Sequence, residues 1–320
     1  MIYLTLKTKR MKKRISYLFA AGILISAVTI YSCKKSSSDP VLPPIGGYNN
    51  SDEVAATNLK AHWSFEGNAN ESITSTAPAA SLRSSFVTGI KGQALKLDSG
   101  FIVYPSIAAM NLPALGSATV SAWIYTDNQG NGSRPTSIFA LALAGAAETD
   151  WNVGPLNMYL ENGRPTSYDD TLVLHGAMAT YVAGSRLGGD NINDYGVRET
   201  DFKTVHGTNK WVHYILRYDG TGSFLDIYAN GVLVSNNNFR YKYTGPLPGV
   251  GFGPIALPMP SSTTQVLIGG FPNATTGFSA SALQGWQGLF RGNIDELRFY
   301  NKALTAAEIT ALYQLELGGR

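Results

Sequence analysis

The stretch that most constrains this chain is its last thirty-odd residues. Gly288-Leu289-Phe290-Arg291-Gly292-Asn293-Ile294-Asp295-Glu296-Leu297-Arg298-Phe299-Tyr300 runs straight into Asn301-Lys302-Ala303-Leu304-Thr305-Ala306-Ala307-Glu308-Ile309. Leu297 and Phe299 alternate with Arg298 and Tyr300, the period of a strand with two unlike faces. The period then changes. Thr305 followed three residues later by Glu308 forms a capping box, in which hydroxyl and carboxylate satisfy free amides at the start of a short helix carrying Ile309, Leu312 and Tyr313. A helix of one turn or a little more is too short to stand in a bundle, so its apolar side must rest on a sheet made elsewhere in the chain.

Composition agrees with a sheet protein. The 320 residues are 44% hydrophobic and only 15% charged, and 34 Gly, 17 Tyr and 13 Phe favour strands and turns. One all-β domain of about 250 residues fits such a chain. The formal charge of +3 misleads, because Lys7, Lys9, Arg10, Lys12, Lys13 and Arg14 precede residue 33 with no acid among them. Removing those six from 25 leaves 19 basic against 22 acidic residues, a net charge near −3. No basic stripe survives to neutralise phosphates, which argues against nucleic acid as a partner.

Residues 1–32 read as a targeting segment. Lys12-Lys13-Arg14 precede an apolar run from Ile15 to Tyr31 that ends at Ser32-Cys33, and Met11 is an alternative start. Ile30-Tyr31-Ser32-Cys33 resembles a lipobox, which implies a signal peptide cut before Cys33 and a lipid anchor on that residue. Cys33 is the single cysteine, so it has no intrachain disulfide partner. A membrane anchor helix with an incidental cysteine, or a secreted protein cut elsewhere, are the alternatives. Residues 33–58 contain Ser36-Ser37-Ser38-Asp39-Pro40, Pro43-Pro44 and Gly46-Gly47, the composition of a disordered tether.

Strand signals begin at Leu59, where Leu59, Ala61, Trp63 and Phe65 alternate with Lys60, His62 and Ser64. Thr119 to Tyr125, Trp211 to Tyr218, Phe224 to Tyr228, Val232 to Val234 and Val266 to Gly269 read the same way. Asn230-Gly231 tolerates positive φ at both turn positions and predicts a tight hairpin. No crossover helix separates a strand pair, so antiparallel sheets stacked as a sandwich are expected.

Leu59-Lys60-Ala61-His62-Trp63-Ser64-Phe65-Glu66-Gly67-Asn68, Gly89 to Asp98, Ala118 to Ile124, Trp211 to Gly220 and Ile227 to Val234, closed by the C-terminal stretch, resemble in order and spacing a laminin-G-like, concanavalin A-like jelly roll. The resemblance covers most of residues 59–317 and implies an all-β, two-sheet antiparallel jelly-roll sandwich with a short C-terminal helix. It also suggests a lipoprotein of Gram-negative bacteria. Two segments depart from that pattern: residues 127–208, expected to be loops with strands at 155–162 and 171–176, and residues 241–262, dense in Pro and Gly and without a credible strand.

Catalysis is not expected. Related glucanases on this fold place carboxylates in a pattern close to Glu-x-Asp-x-x-Glu, since retaining hydrolysis needs an acid and a nucleophile close together. Here Asn293 and Arg298 occupy the outer positions. His62, His175, His206 and His213 are scattered, and Asp169-Asp170 and Asp190 to Asp194 read as solvated turn acids. Trp63, Trp123 and Trp211 read as core.

The resemblance implies a structural Ca²⁺ held by Glu66, Asn68, Asn293 and Asp295, because pairing of the first and last strands would bring these oxygen donors together. The alternative is that Asp295 accepts bonds from loop amides with no metal. Sugar rings stack on aromatic planes, which singles out Trp151, Tyr168, Tyr181, Tyr195, Tyr241, Tyr243 and Trp286 for ligand binding, with half or more of these expected only to pin loops to the sheet. The expectation is a non-catalytic lipoprotein of the outer membrane, periplasmic or surface-exposed, that binds a glycan or polysaccharide. A protein-binding adhesion module is the alternative, and a divergent glycoside hydrolase a distant third.

Overall fold

A computed structural model describes residues 42–110, 116–127, 134–143, 154–162, 170–182, 185–242, 246–247, 251–252, 254–257, 264–278 and 283–320. Residues 44–320 form one compact unit. Cys33 and the targeting segment lie outside the described residues, as do Trp151, Tyr168 and Tyr243. In chain order the strands are β1 (Leu59–Trp63), β2 (Ala80–Thr88), β3 (Gln93–Val103), β4 (Ala118–Tyr125), β5 (Thr136–Leu143), β6 (Leu156–Leu160), β7 (Thr171–Leu172), β8 (Leu174–Val182), β9 (Ser185–Ile192), β10 (Val205–His206), β11 (Trp211–Asp219), β12 (Phe224–Ala229), β13 (Val232–Leu233), β14 (Pro246–Leu247), β15 (Gly251–Phe252), β16 (Thr264–Ile268) and β17 (Phe290–Tyr300). The α-helix Ala306–Leu317, α1, follows.

Thirteen strands join into one curled antiparallel sheet whose path runs β13-β12-β11-β4-β17-β3-β16-β5-β6-β8-β9, with β1 on β17 and β2 on β3. The two layers of the sandwich are therefore two arms of a single sheet, and β3 is the corner between them. Its first half pairs with β17, whereas Ile102 and Val103 pair with β16 on the other arm. The bend falls at Ser99-Gly100: Ser99 has φ +53° and the β17 register slips beside it. A Cβ on Gly100 would come within 2.2 Å of the Leu82 carbonyl oxygen, so only glycine lets β2 close over the corner.

The arms face each other across one core. Phe139 of β5 meets Trp63 of β1 and Phe299 of β17, with ring centroids 6.3 and 6.1 Å apart. β4 is buried on both faces because Val120, Ala122 and Ile124 point into this core while α1 covers its other side. There Ile309, Leu312 and Leu315 of α1 pack on Ile215, Tyr300, Leu304 and Val54. The capping box forms as the sequence predicts, with Thr305 and Glu308 exchanging bonds, but the helix has 12 residues, longer than one turn.

Several expectations are corrected. Residues 44–58 are not a tether: two 3₁₀ turns, Ser51–Glu53 and Ala56–Asn58, fold onto the domain, with Ser51 and Val54 fully buried. Residues 127–208 supply β5, β6, β8 and β9, most of the second arm, and the separate two-stranded ladder of β7 and β10, instead of mainly loops. Residues 241–262 contain the short ladder β14 to β15. Trp63 and Trp123 are core as expected, but Trp211 is half-exposed. The hairpin at Asn230-Gly231 is present, with φ of +49° and +79°.

Candidate functional site

The β6–β8–β9 arm presents two unlike faces. Leu156, Met158, Leu160, Leu174 and Met178 point into the core. Tyr159, opposite His175, and Ala177, opposite Asp190, share the other face. Glu161, two residues beyond Tyr159, falls on that face too. These side chains line a cavity of about 310 Å³ together with Pro135 and Trp286.

An imidazole links the two acids. His175 Nδ1 lies 2.7 Å from Glu161 Oε1, and its Nε2 lies 2.9 Å from Asp190 Oδ2 and 3.0 Å from the Tyr159 hydroxyl. Tyr195 donates to Asp190 Oδ2 at 2.8 Å. Burial alone would raise the Asp190 carboxyl, but the His175 hydrogen bond and charge, with Tyr195 and Lys242, hold it below its ordinary value. Burial and the charges of Glu161 and Asp190 push Tyr159 far up, so its phenol keeps its proton. Lys242, whose ammonium donates to the Asp190 and Phe239 carbonyls, is pushed down to about 8 by burial.

A chain of rings holds the wall of this cavity. Tyr159 stacks on His175 at 4.2 Å, Phe271 meets Tyr159 edge-on at 5.6 Å, and Trp286 meets Phe271 edge-on at 5.0 Å. The Trp286 indole donates to Gln284 Oε1 at 2.6 Å, and the Gly288 amide donates to the Pro135 carbonyl at 2.9 Å, which fixes this loop beside β5. Trp286 is half-buried: it pins its loop and still lines the cavity.

Of the aromatics expected to bind ligand, Trp286 and Tyr195 come to this cluster. Tyr181 lies in β8 opposite Arg186, its side chain outside the description. Tyr241 packs edge-on against Phe224 at 4.9 Å with half its surface exposed. Asp190, read from sequence as a solvated turn acid, stands instead in a strand and is tied to an imidazole. Glu161 and His175 were missed because neither belongs to a local motif. The signal lay in their order along β6 and β8, where strand pairing makes residues 14 apart neighbours.

The expected calcium ligands are arranged differently. β1 and β17 do pair antiparallel, with Trp63 opposite Leu297. Asp295 Oδ2 accepts the amides of Ile90 and Lys91 at 2.9 and 3.1 Å, and its Oδ1 accepts the Glu296 amide at 2.8 Å. Glu66 Oε2 accepts the Gln93 amide at 3.1 Å, at the other end of the same turn. Gly89 and Gly92 leave room for the two acids, since a Cβ on either would lie within 2.3 Å of a carboxylate oxygen. Asn68 bonds its own loop, to the Glu66 carbonyl and the Asn70 amide. Asn293 lines a separate cleft. Donor amides aimed at a carboxylate oppose a cation there, so these residues do not fit a calcium ion. Among the described residues no group of three or more His, Cys, Asp or Glu is placed to hold a metal. Burial, with the nearby Glu296 charge adding to it, pushes the Asp295 carboxyl up to about 8 against the pull of its amide donors.

No protein-family model matches the sequence, and no curated protein matches it. Solved structures do resemble the fold. Domain 4 of an extracellular arabinanase from Geobacillus stearothermophilus, in complex with arabinotriose, is 19% identical, with 80% of this chain and 98% of that one covered and a TM-score of 0.47. The botulinum neurotoxin serotype D ligand-binding domain, in complex with N-acetylneuraminic acid, is 14% identical over 83% of this chain and 51% of that one, with a TM-score of 0.47. The binding domain of botulinum neurotoxin serotype D/C is 11% identical over 82% and 53%, with a TM-score of 0.50. The chain spans about half the length of the toxin domains it matches, and at these identities the likeness concerns the fold alone.

Proposed function

We propose that this chain is a non-catalytic saccharide-binding module of the laminin-G-like type. The observation that carries the reading is the cavity in which Trp286 offers an aromatic wall while Glu161, Asp190 and Tyr159 stand around it with oxygen atoms. Sugars present C–H faces to aromatic planes and hydroxyl donors to carboxylates. A concave site of about 310 Å³ suits one or two sugar rings better than the flat, extensive patch of a protein interface. The non-catalytic part of the reading rests on both acids being tied to one imidazole, and on Asn293 and Arg298 replacing the carboxylates of catalytic relatives. In this proposal Cys33 carries a lipid and holds the module at the cell envelope of a Gram-negative bacterium, in the outer membrane. Its support is the lipobox-like Ile30 to Cys33 behind a basic, apolar leader.

The test is a glycan array probed with the full chain and with Trp286→Ala. The expected result is binding to at least one glycan and a loss of tenfold or more in the variant, about 1.4 kcal/mol. Array-wide silence of the wild type, or a variant that binds as well as the wild type, overturns the reading.

A further inference from the structure

β17 and its neighbours carry two successive rows of side chains on one outer face. In the first row Asp295 lies opposite Trp123, and Trp123 opposite His213. This row is closed: Trp123 and His213 are each 1% exposed, and Tyr313 of α1 stacks over both rings at 5.6 and 5.8 Å. Two residues further along each strand, the same face presents Lys96, Asn293, Tyr125 and Trp211, in register across β3, β17, β4 and β11. Here the cover ends. Lys96 is exposed and the other three are half-exposed.

The open row differs from the closed one in its hydrogen bonding. The Trp123 indole is spent on Glu316 at 2.8 Å, and Asp295 accepts three amides. In the open row no side chain has a hydrogen-bond or ion-pair partner among the described residues. The Lys96 ammonium, the Asn293 amide, the Tyr125 hydroxyl and the Trp211 indole N–H are all unspent, in a line of about 14 Å set by strand spacing. Tyr125 and Trp211 brace each other edge-on at 5.7 Å, so their planes are fixed before anything binds. A cleft of about 380 Å³ runs beside the row, and its far wall carries Asn209 on a loop pinned by the Asn209 amide to the Thr126 carbonyl at 2.8 Å.

The geometry points to a second saccharide-binding surface, the Lys96–Asn293–Tyr125–Trp211 row, which takes a run of neutral sugar units across the strands. Two braced rings supply stacking planes, and the unspent groups supply donors and one amide acceptor for hydroxyls. Charge selects the neutral class: the cations lining the cleft, Lys96 and Arg291, are matched by Asp98 and Asp127, with Arg291 bonded to Asp127 at 2.5 Å. A polyanion gains no net attraction there. The inference shares the ligand class of the proposed function but none of its residues, so each can fail alone.

The test is affinity electrophoresis of the full chain in native gels holding soluble neutral polysaccharides (glucan, mannan, arabinan or xylan), with alginate as the acidic control. Expected is retardation in at least one neutral gel, and a Kd raised fivefold or more by Trp211→Ala and by Tyr125→Ala. Asn293→Ala, which removes a side chain without partners and so leaves the fold intact, should raise Kd about twofold. Loss on Trp286→Ala alone supports the cavity and overturns the row. Loss on Trp211→Ala and Tyr125→Ala alone sustains the row and sinks the cavity. Stronger retardation by alginate than by every neutral gel, or none for the wild type in any gel, overturns the row.

Discussion

Two buried clusters among the described residues set imidazoles beside carboxylates, and the one at His175 lines a cavity. Around Arg298, which is fully buried, four of the five N–H groups are spent: Nε on Glu316 at 2.8 Å, Nη1 on Asp52 at 2.7 Å, Nη2 on Ser51 at 3.1 Å and on Glu296. His62 lies 3.1 Å from Glu296, and His213 lies 2.7 Å from Ser121. Burial alone would raise Glu296, but His62, Arg298 and Lys91 hold its carboxyl low. Around His175 the acids keep about a quarter of their side-chain surface in the open. The residue types are nearly the same. What separates the two clusters is open volume: Glu161 and Asp190 border a cavity, whereas Glu296 and Glu316 are closed off from solvent.

The comparison breaks most visibly at Arg298. Arg298→Met leaves Glu296 and Glu316 buried without their shared cation, which costs about 3–5 kcal/mol. Urea unfolding should show this as a lower midpoint with an unchanged slope, and a loss below about 1 kcal/mol would mean that the buried cluster is no fastening at all. His213 gives the next effect. Burial, with the Arg298 charge adding to it, pushes its pKa down to about 3 from 6.5. The folded protein therefore keeps this imidazole neutral while the unfolded chain protonates it. Its contribution is intact above pH 6.5 and is lost as pH falls toward 3, at roughly 1 kcal/mol per pH unit. Thermal melts between pH 7 and 4 should fall accordingly, and His213→Gln should flatten that acid limb; parallel curves for variant and wild type would remove His213 from the account.

Smaller still is the effect of Glu161→Gln on stability, about 1 kcal/mol or less, because this acid is partly solvated. The same change should weaken glycan retention clearly. A variant that loses several kcal/mol of stability yet binds normally would make the His175 cluster a second fastening. The smallest effect concerns Asp295: with its oxygens on amides, exhaustive chelation with EDTA should leave the melting temperature unchanged, and a drop of several degrees would restore the calcium reading.

Much of the scaffold was legible from local pattern. The β17 alternation, the Thr305 capping box and Asn230-Gly231 each specify geometry within a few residues, and all three are present. The second arm was harder to read. β8 and β9 carry Gly176, Gly188, Gly189, Asp190 and Asn191, residues that signal turns when read singly. Gly176 makes room for Leu216, whose Cδ1 would lie 2.0 Å from a Cβ there and would have to shift. Residues 44–58 misled for the opposite reason: their Pro and Gly content reads as a tether, while Ser51, Asp52 and Val54 are held by partners more than 150 residues away. Trp286 was legible as an exposed-type aromatic. Its companions Glu161, His175 and Asp190 were not, since strand pairing alone assembles them.

The bonding of the two ends of the compact unit, residues 44–320, to each other has a mechanical consequence. Ser51 donates its amide to the Arg320 carbonyl, the Arg320 guanidinium donates to the Asn49 carbonyl, and Arg298 grips Asp52 and Glu316 together. A pull applied ahead of residue 49 thus reaches β17 and its covering helix at once, and several charge-assisted bonds must rupture together before β17 can peel. Load arriving from that side is therefore shared by several bonds in parallel instead of unzipping them one at a time.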